Sequence, residues 1–360
     1  MTQLKTMYQL QKPYFESLLI GSILYGTGGG GSPDEAKMVY ENIIENDKKV
    51  FLKKLDEFTN NDIVITSFGV GSIDSSSNHR EPVKRALSAL EKYLNQPVSG
   101  IIPVEIGPKS LAMAIDLASY LDLPVVDADI VGGRSTPEVF LETITLFGLS
   151  RCPSAIADDF GNVTILAKAH NAEYEEHFMR SFAALAENRA YVVGYPLKVG
   201  VLRKAVEWGT INMALETGEM LIKNQLDQLL AEKDGKIYFE GHIKIIYDEK
   251  DNGFTRKYLV IEDNSTGKKA KLFIKNENLL LWIDNKLVLS CPDLIVLLDN
   301  KNFPIYNMDL KIDTQVKIIG LPALPLWRSR KGQALFNPNV FGFTEKIKLV
   351  KKSGFKNIDG

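Results

Sequence analysis

Residues 26–35 read Gly-Thr-Gly-Gly-Gly-Gly-Ser-Pro-Asp-Glu and are the most informative stretch of the chain. Glycine at five of the six positions 26–31 costs conformational entropy on folding, so a fold keeps this pattern where the backbone turns sharply or approaches another group closely. Ser32 as N-cap, Pro33 in the first turn and Glu35 as partner in a capping box predict that a helix begins directly afterwards. The stretch therefore predicts a tight loop that presents main-chain amides beside a helix N-terminus.

The residues around this loop bear on which ligand it could hold. Gly26, Gly28 and Gly31 match the dinucleotide spacing G-x-G-x-x-G, but that pattern binds a dinucleotide only when it follows a strand. Residues 13–25 instead have the apolar spacing of an amphipathic helix, and no Lys-Ser/Thr pair follows the loop. We expect no nucleotide cofactor. A loop that lines a pocket for a non-phosphate ligand is favoured, and a cofactor-phosphate site and a purely structural turn stay open.

The composition is that of an ordinary globular protein. The 360 residues suggest two domains, with 45% hydrophobic and 24% charged residues. The net charge of −2 argues against a nucleic-acid partner, because such proteins carry a basic excess. Cys152 and Cys291 have no metal-binding spacing and are expected to be free thiols in a reducing compartment. With no apolar signal core and no long apolar run, we expect a cytoplasmic protein without a membrane partner.

The periodicity of apolar residues predicts two architectures in succession. Between residues 60 and 150 strands alternate with helices, which favours parallel strands joined by right-handed crossovers. The predicted strands are 62–68, 100–106 and 123–128, and the predicted helices are 82–94, 110–120 and 137–147. A hairpin (155–157 with 163–166), helices at 170–189 and 203–231, and short strands from 236 onward follow. We predict an α/β N-terminal domain with a mostly parallel sheet, residues 1–167, and a helical connection with a β-rich C-terminal domain, residues 168–360.

Polar side chains follow each of the predicted parallel strands. The loop after the first strand ends near His79, the second strand leads to Glu105 and Lys109, and the third ends in Asp127 and Asp129. Ligands of open parallel sheets bind beyond the carboxyl ends of the strands. The sequence therefore predicts a site at this edge of the sheet.

Asp127 and Asp129 are spaced by two in an extended segment, so their side chains are expected on the same side. Two close carboxylates share a proton, bind a cation or pair with a base such as Arg134. The glycines 132 and 133 that follow leave room for a ligand. The alternative is that one aspartate caps the next helix while the other forms a salt bridge with Arg134.

Seven short motifs follow one another in a fixed order along the chain. They are Gly-Thr-Gly-Gly-Gly-Gly at 26–31, Val-Glu-Ile-Gly at 104–107, Pro-Val-Val-Asp-Ala-Asp at 124–129, Asn-Glu-Asn-Leu at 276–279, Pro-Asp-Leu-Ile at 292–295, Pro-Leu-Trp at 325–327 and Pro-Asn-Val-Phe-Gly at 338–342. In this order they resemble the motifs of the S-methyl-thiohydantoin desulfurase-like family. The resemblance extends over about residues 15–345.

The resemblance implies a fold and an activity. The implied fold is an N-terminal α/β domain followed by a C-terminal β-rich domain. The activity characterised in the family is hydrolysis of an S-methylated thiohydantoin ring to the hydantoin, with release of methanethiol and a requirement for zinc. Members are often encoded beside hydantoinase/oxoprolinase subunits, so the resemblance also implies a partner of that type.

From these residues and this resemblance we expect a hydrolase of a small hydantoin-like or thiohydantoin-like ring. In this hypothesis a divalent metal ion, zinc in the first place, is bound by Asp127 and Asp129 and lowers the pKa of a bound water. Glu105 or His79 transfers the proton. The four predicted catalytic residues are thus Glu105, Asp127, Asp129 and His79.

The predicted substrate-binding residues surround this centre. Main-chain amides of the loop are expected to stabilise developing negative charge, and a basic side chain is expected to bind a substrate carboxylate. The residues are Gly28, Gly29, Gly30, Gly31, Lys109 and Arg134.

Two other functions stay open at this point. The chain could be a non-catalytic or regulatory subunit of a hydantoinase/oxoprolinase-type enzyme, which predicts an exposed apolar patch. It could also be a small-molecule binding protein without chemistry. In each case we expect a homo-oligomer, because most oligomers of intracellular proteins are of this kind.

Overall fold

The computed structural model describes residues 7–71, 80–251 and 254–351. The helices are α1 (Lys12–Tyr25), α2 (Pro33–Glu45), α3 (Arg80–Leu94), α4 (Pro108–Leu121), α5 (Ala172–Leu185), α6 (Val199–Leu202), α7 (Thr210–Ile222), α8 (Leu226–Glu232), α9 (Pro325–Arg328) and α10 (Arg330–Leu335). Within these described ranges, no helix has both the length and the apolar character needed to cross a membrane.

The strands belong to two large sheets and one short pair. They are β1 (Met7–Gln9), β2 (Phe51–Lys53), β3 (Ile63–Gly71), β4 (Val98–Ile101), β5 (Val125–Val126), β6 (Ala128–Asp129), β7 (Ser154–Ala157), β8 (Val163–Leu166), β9 (Arg189–Lys198), β10 (Glu207–Trp208), β11 (Lys236–Asp251), β12 (Phe254–Glu262), β13 (Lys269–Lys275), β14 (Glu277–Ile283), β15 (Lys286–Ser290), β16 (Leu294–Leu298) and β17 (Gln315–Leu321).

The first sheet has eight strands in the order β1-β2-β5-β4-β3-β9-β7-β8. Its centre is parallel, with Leu52 opposite Val125 and Ile65 opposite Ile101. Strands β1, β9, β7 and β8 are antiparallel to their neighbours. The predicted α/β class is confirmed, and the sheet is more mixed than the sequence patterns indicated because β1, β2 and β9 were not predicted.

The second sheet has seven strands, all antiparallel, in the order β15-β14-β13-β12-β11-β17-β16. It curls so that its edge strand β16 also contacts β14. The predicted β-rich C-terminal region is therefore confirmed. Strands β9 and β10 lie after residue 168 in the chain, but they pair with β3 and β6 of the N-terminal region. The predicted domain boundary at 167/168 stays a prediction.

The helix predicted directly after the glycine loop is confirmed, but only one half of the predicted capping box is present, because the Glu35 carboxylate pairs with Lys109. Helix α2 begins where predicted, with the Ser32 hydroxyl accepting the Glu35 N–H at 3.4 Å. The predicted helix at 137–147 is wrong, because this segment contains only a short 3-10 turn at Thr143–Phe147. Glu138 and Glu142, which would lie on one helical face, are held by ion pairs with residues outside the segment.

Helices α1 and α7 pack backbone against backbone in the core. A Cβ atom on Gly21 would overlap the carbonyl oxygen of Ala214, and one on Gly218 would overlap the carbonyl oxygen of Ser17. Glycine at both positions lets the helices approach more closely than side chains allow. This contact fixes the N-terminus of α7 next to the end of β5.

The close packing of α1 on α7 makes a prediction for stability. Replacing a helical glycine by alanine usually adds about 1 kcal/mol of stability. Gly21→Ala should instead lower the free energy of unfolding by about 1–3 kcal/mol, because its Cβ forces the two helices apart. Urea unfolding measures this effect. The control is Ser88→Ala on the exposed face of α3, whose free energy of unfolding should lie within about 0.5 kcal/mol of that of wild type. A Gly21→Ala protein as stable as wild type would contradict the close packing of α1 on α7.

Candidate active site

A cavity of about 360 Å³ opens at the carboxyl ends of β3 and β4. Gly69 and Gly71 of β3 form one side, Val104 and Glu105 after β4 form the floor, and Thr136 follows on the next loop. This is the edge of the sheet at which ligands of α/β folds bind. Of the residues proposed from sequence, Glu105 lines this cavity.

Glu105 is held in a defined orientation at the cavity floor. Its Oε1 accepts the hydroxyl of Ser110 at 2.7 Å, and its Oε2 accepts the main-chain N–H of Thr136 at 3.2 Å. Burial raises the pKa of the Glu105 carboxyl above its ordinary value, the two hydrogen bonds oppose this, and Glu142 adds to the rise. A cavity carboxyl with a raised pKa suits general acid–base chemistry.

A buried ion pair between Glu142 and Arg151 also lines the cavity. Arg151 donates from Nε to Oε2 of Glu142 at 3.0 Å, and its Nη2 lies 2.8 Å from Oε1. The Tyr195 hydroxyl donates to Oε1 of the same carboxylate at 3.1 Å. The guanidinium carbon of Arg151 lies 5.3 Å from the centroid of the Tyr195 ring. These contacts keep a positive charge at the cavity wall in one geometry.

Tyr195 takes an unusual backbone conformation to reach this position. Its φ is +55°, in the left-handed region that side-chain-bearing residues rarely adopt. The register of β9 against β3 slips between Val64 and Thr66, so Tyr195 lies in a β-bulge. A bulge redirects one side chain out of the regular alternation of a strand, and such strained positions cluster at functional sites.

Glu175 of α5 completes the polar wall. It is buried, and its Oε1 accepts the Ser154 hydroxyl at 2.8 Å. Burial raises the pKa of the Glu175 carboxyl, while the bond from Ser154 and the charge of Arg151 oppose the rise. Three carboxyl groups, those of Glu105, Glu142 and Glu175, therefore line one cavity with raised pKa values.

Arg134 lies behind Glu105 rather than in the cavity. It is fully buried, donates from Nε to the Ser135 carbonyl at 2.9 Å and from Nη1 to the Pro292 carbonyl, and its guanidinium carbon is 4.7 Å from the Phe336 ring centroid. Burial and the charge of Glu105 raise the pKa of Glu277, and Arg134 opposes this rise. Arg134 thus compensates buried carboxylates, and its predicted binding role stays a prediction.

The glycine loop packs against protein atoms on almost every side. A Cβ atom on Gly28 would overlap the Asn307 amide, and one on Gly29 would overlap Oε1 of Glu277. A Cβ on Gly30 would lie 2.5 Å from the Cα of Gly107. These contacts explain the glycines by close approach of backbone and side chains. The substrate-binding role predicted for Gly28, Gly29, Gly30 and Gly31 stays a prediction.

Gly31 and Lys109 lie at the edge of a second cavity, of about 310 Å³. A Cβ on Gly31 would lie 2.5 Å from the Cβ of Lys109. The Lys109 ammonium forms an ion pair with Glu35 in the first turn of α2. Its charge is therefore already compensated, and its role as a carboxylate anchor stays a prediction.

Asp127 and Asp129 act as acceptors for main-chain amides in the structure. Asp127 accepts the N–H groups of Ile211 and Asn212, both at 3.1 Å, and thereby caps α7. Asp129 accepts the N–H groups of glycines 132 and 133 at 2.7 and 2.8 Å. Burial raises the pKa of Asp129 to about 7. Neither aspartate lines either of the two cavities described above.

The donor set around these aspartates does not fit a metal ion. Each of the two carboxylates has N–H donors directed at both of its oxygens, and a cation would have to displace them. In residues 7–71, 80–251 and 254–351 no three His, Cys, Asp or Glu side chains are grouped so as to hold an ion. His79 lies outside the described residues. The zinc expected from the resemblance stays a prediction.

Sequence reasoning missed Glu142, Arg151, Glu175 and Tyr195. Glu142 was placed in a predicted helix that does not form, and Tyr195 lies in an apolar run that was not recognised as a strand. One usable signal was Arg151, a charged residue three positions before the buried strand β7. A buried arginine needs a carboxylate partner, which the sequence alone does not identify.

Two models of one protein family match nearly the whole chain. The model of the "S-Me-THD-like, N-terminal domain" matches residues 14–168, and that of the "S-Me-THD-like, C-terminal domain" matches residues 170–350. A crystal structure of a protein from Chromobacterium violaceum superposes with a TM-score of 0.80 at 21% identity, covering 96% of this chain and 100% of the other. At this identity the likeness shows the fold alone. No curated protein matches the chain.

The raised pKa of Asp129 predicts a pH dependence of stability. Its folded-state pKa of about 7 exceeds the value of about 3.9 in an unfolded chain. Between these two values Asp129 is protonated in the folded state and ionised in the unfolded chain. The stability that comes from this bound proton is lost as the pH rises toward and through 7. Between pH 5 and 8 the unfolding free energy of wild type should fall by roughly 2 kcal/mol more than that of Asp129→Asn.

Urea unfolding at several pH values measures this difference in slope. The matched control is Asp263→Asn, because hydrogen bonds from Ser265 and Thr266 lower the pKa of Asp263 to about 2 and keep it ionised over the whole range. The control should follow the wild-type slope. An Asp129→Asn protein with an unchanged slope would show that Asp129 is ionised in the folded state at pH 5.

Proposed function

The chain belongs to the S-Me-THD-like family, and from this membership together with the cavity we propose that it hydrolyses a small hydantoin-like ring bound beside Glu105. The observation that carries the proposal is the Glu105 carboxyl, which is fixed by Ser110 and Thr136 at the floor of a cavity and has a raised pKa. Its position and its protonation behaviour are those of an acid–base group.

The size of the cavity supports a small cyclic substrate. An S-methylated thiohydantoin has about eight non-hydrogen atoms, and at no more than about 30 Å³ for each, the share of a water molecule in the liquid, it takes up at most about 240 Å³. The cavity beside Glu105 has about 360 Å³. A ring of this kind therefore fits with room for the attacking water.

A single carboxyl group, that of Glu105, carries both proton transfers of the proposed reaction. Water attacks the ring carbon that carries the S-methyl group, and a C–O bond forms while Glu105 takes a proton from the water and passes it to the neighbouring ring nitrogen. The tetrahedral intermediate then collapses, the C–S bond breaks, and the remaining hydroxyl proton goes by way of Glu105 to the departing methanethiolate. The products are the hydantoin and methanethiol.

The Glu142–Arg151 ion pair supplies an oriented hydrogen-bond donor in this scheme. Arg151 lines the cavity, and its orientation is fixed by Glu142 and the Tyr195 ring. The fixed guanidinium donates to the carbonyl oxygen of the ring, over which the negative charge that develops on the adjacent ring nitrogen is delocalised, without having to reorganise during the reaction. The oxygens of Asp127 and Asp129 already accept N–H groups, and the scheme routes no step through a metal ion. A homo-oligomer and a hydantoinase/oxoprolinase-type partner stay predictions.

Glu105→Gln tests the proposed role directly. The amide keeps the size of the side chain and removes its ability to take a proton, so kcat for an S-methyl-thiohydantoin should fall about 100- to 1,000-fold. Methanethiol release, followed with a colorimetric thiol reagent, gives the rate. Binding of the product hydantoin should change much less.

A matched control and a pH profile separate this role from a structural one. Glu219→Gln removes a carboxylate that pairs with Lys223 on the surface of α7, and its rate should stay within twofold of wild type. In wild type, kcat/KM should rise with pH through a pKa above the usual glutamate value, because Glu105 must be ionised to act as base. Full activity of Glu105→Gln would contradict the proposal.

A further inference from the structure

The second cavity adjoins the first. Its volume is about 310 Å³, and both cavities are lined by Phe68, Gly69, Gly71, Val104 and Ser110. The Ser110 hydroxyl donates to Glu105 at 2.7 Å. Ser110, which fixes Glu105 at the first cavity, therefore also lines the second.

The lining of the second cavity is largely apolar. Val83 and Leu117 are buried there, and Met113 and Phe68 add two further large apolar side chains. These side chains come from β3, α3 and α4, which are rigid elements of the first region. A cavity of this composition favours an apolar occupant over a charged one.

Three polar side chains at this cavity already have partners. The Ser67 hydroxyl donates to the Val192 carbonyl at 2.7 Å, the Ser110 hydroxyl donates to Glu105, and Lys109 pairs with Glu35. A charged or strongly polar substituent would lose its hydration without gaining a new partner from these groups.

From this arrangement we infer that the substrate ring carries an apolar substituent, of isobutyl to benzyl size, which enters the second cavity. The inference rests on the proposed function, because it assigns the substituent of the ring placed beside Glu105. A benzyl group has seven carbons and, at no more than about 30 Å³ for each, takes up at most about 210 Å³. It therefore fits the second cavity of about 310 Å³.

A series of hydantoins tests the inference on the wild-type protein. The ligands are hydantoin itself and its 5-isobutyl, 5-benzyl and 5-carboxymethyl derivatives, and isothermal titration calorimetry gives their affinities. The isobutyl and benzyl compounds should bind at least about tenfold more tightly than hydantoin. The carboxymethyl compound should bind no more tightly than hydantoin. Equal affinity for all four would overturn the inference.

Met113→Trp locates the substituent. The larger side chain fills part of the second cavity, so the preference for 5-benzylhydantoin over hydantoin should fall below about threefold, while affinity for hydantoin stays unchanged. Met113→Leu conserves the apolar character and approximate volume and should keep the full preference. A full preference in Met113→Trp would place the substituent elsewhere and overturn the inference.

The outcomes also separate this inference from the proposed function. A preference for apolar substituents without turnover of the matching S-methyl-thiohydantoin would support the inference and refute the proposed hydrolysis. Turnover without any preference would support the hydrolysis and overturn the inference. Absence of binding by every ring would overturn both.

Discussion

The close approach of the glycine loop to its neighbours is the constraint on which the arrangement of this molecule depends. At Gly28 and Gly29 the α-carbons lie directly against Asn307 and Glu277, which belong to the C-terminal region. At Gly30 the backbone meets Gly107 at the start of α4. A Cβ atom at Gly28 or Gly29 would overlap these two side chains, and one at Gly30 would overlap the backbone just before α4. The bare backbone of the loop thus lets it contact both the C-terminal region and the start of the helix that follows Glu105.

The packing also buries several acidic side chains together with two arginines. Glu105, Glu142, Glu175 and Glu277 are acidic groups whose pKa values burial raises. Two buried arginines, 134 and 151, lie among them. A carboxylate without such a partner would be far more costly to bury. The same electrostatic balance that stabilises the fold leaves carboxyl groups poised to exchange protons at the cavity, which links the stability of the site to its proposed chemistry.

Local patterns predicted the parts of the fold that depend on nearby residues. The cap at Ser32 needs only Glu35, and the apolar run of β3 identifies a buried strand without reference to its neighbours. Strand β9 was missed because its pairing with β3 joins residues more than 100 positions apart. Glu105 was found because it follows a strand. Asp127 has the residue type and spacing of a metal ligand. Its carboxylate instead accepts main-chain N–H groups of α7, a helix more than 80 residues further along the chain, which the local sequence does not reveal.

A crystal structure of the protein with 5-benzylhydantoin tests the central claim most directly, since the claim concerns where the ring lies. We expect a polar atom of the ring within hydrogen-bond distance of the Glu105 carboxyl, a carbonyl oxygen of the ring facing Arg151, and the benzyl group against Met113. A ligand bound elsewhere, with Glu105 in contact only with Ser110 and Thr136, would contradict it.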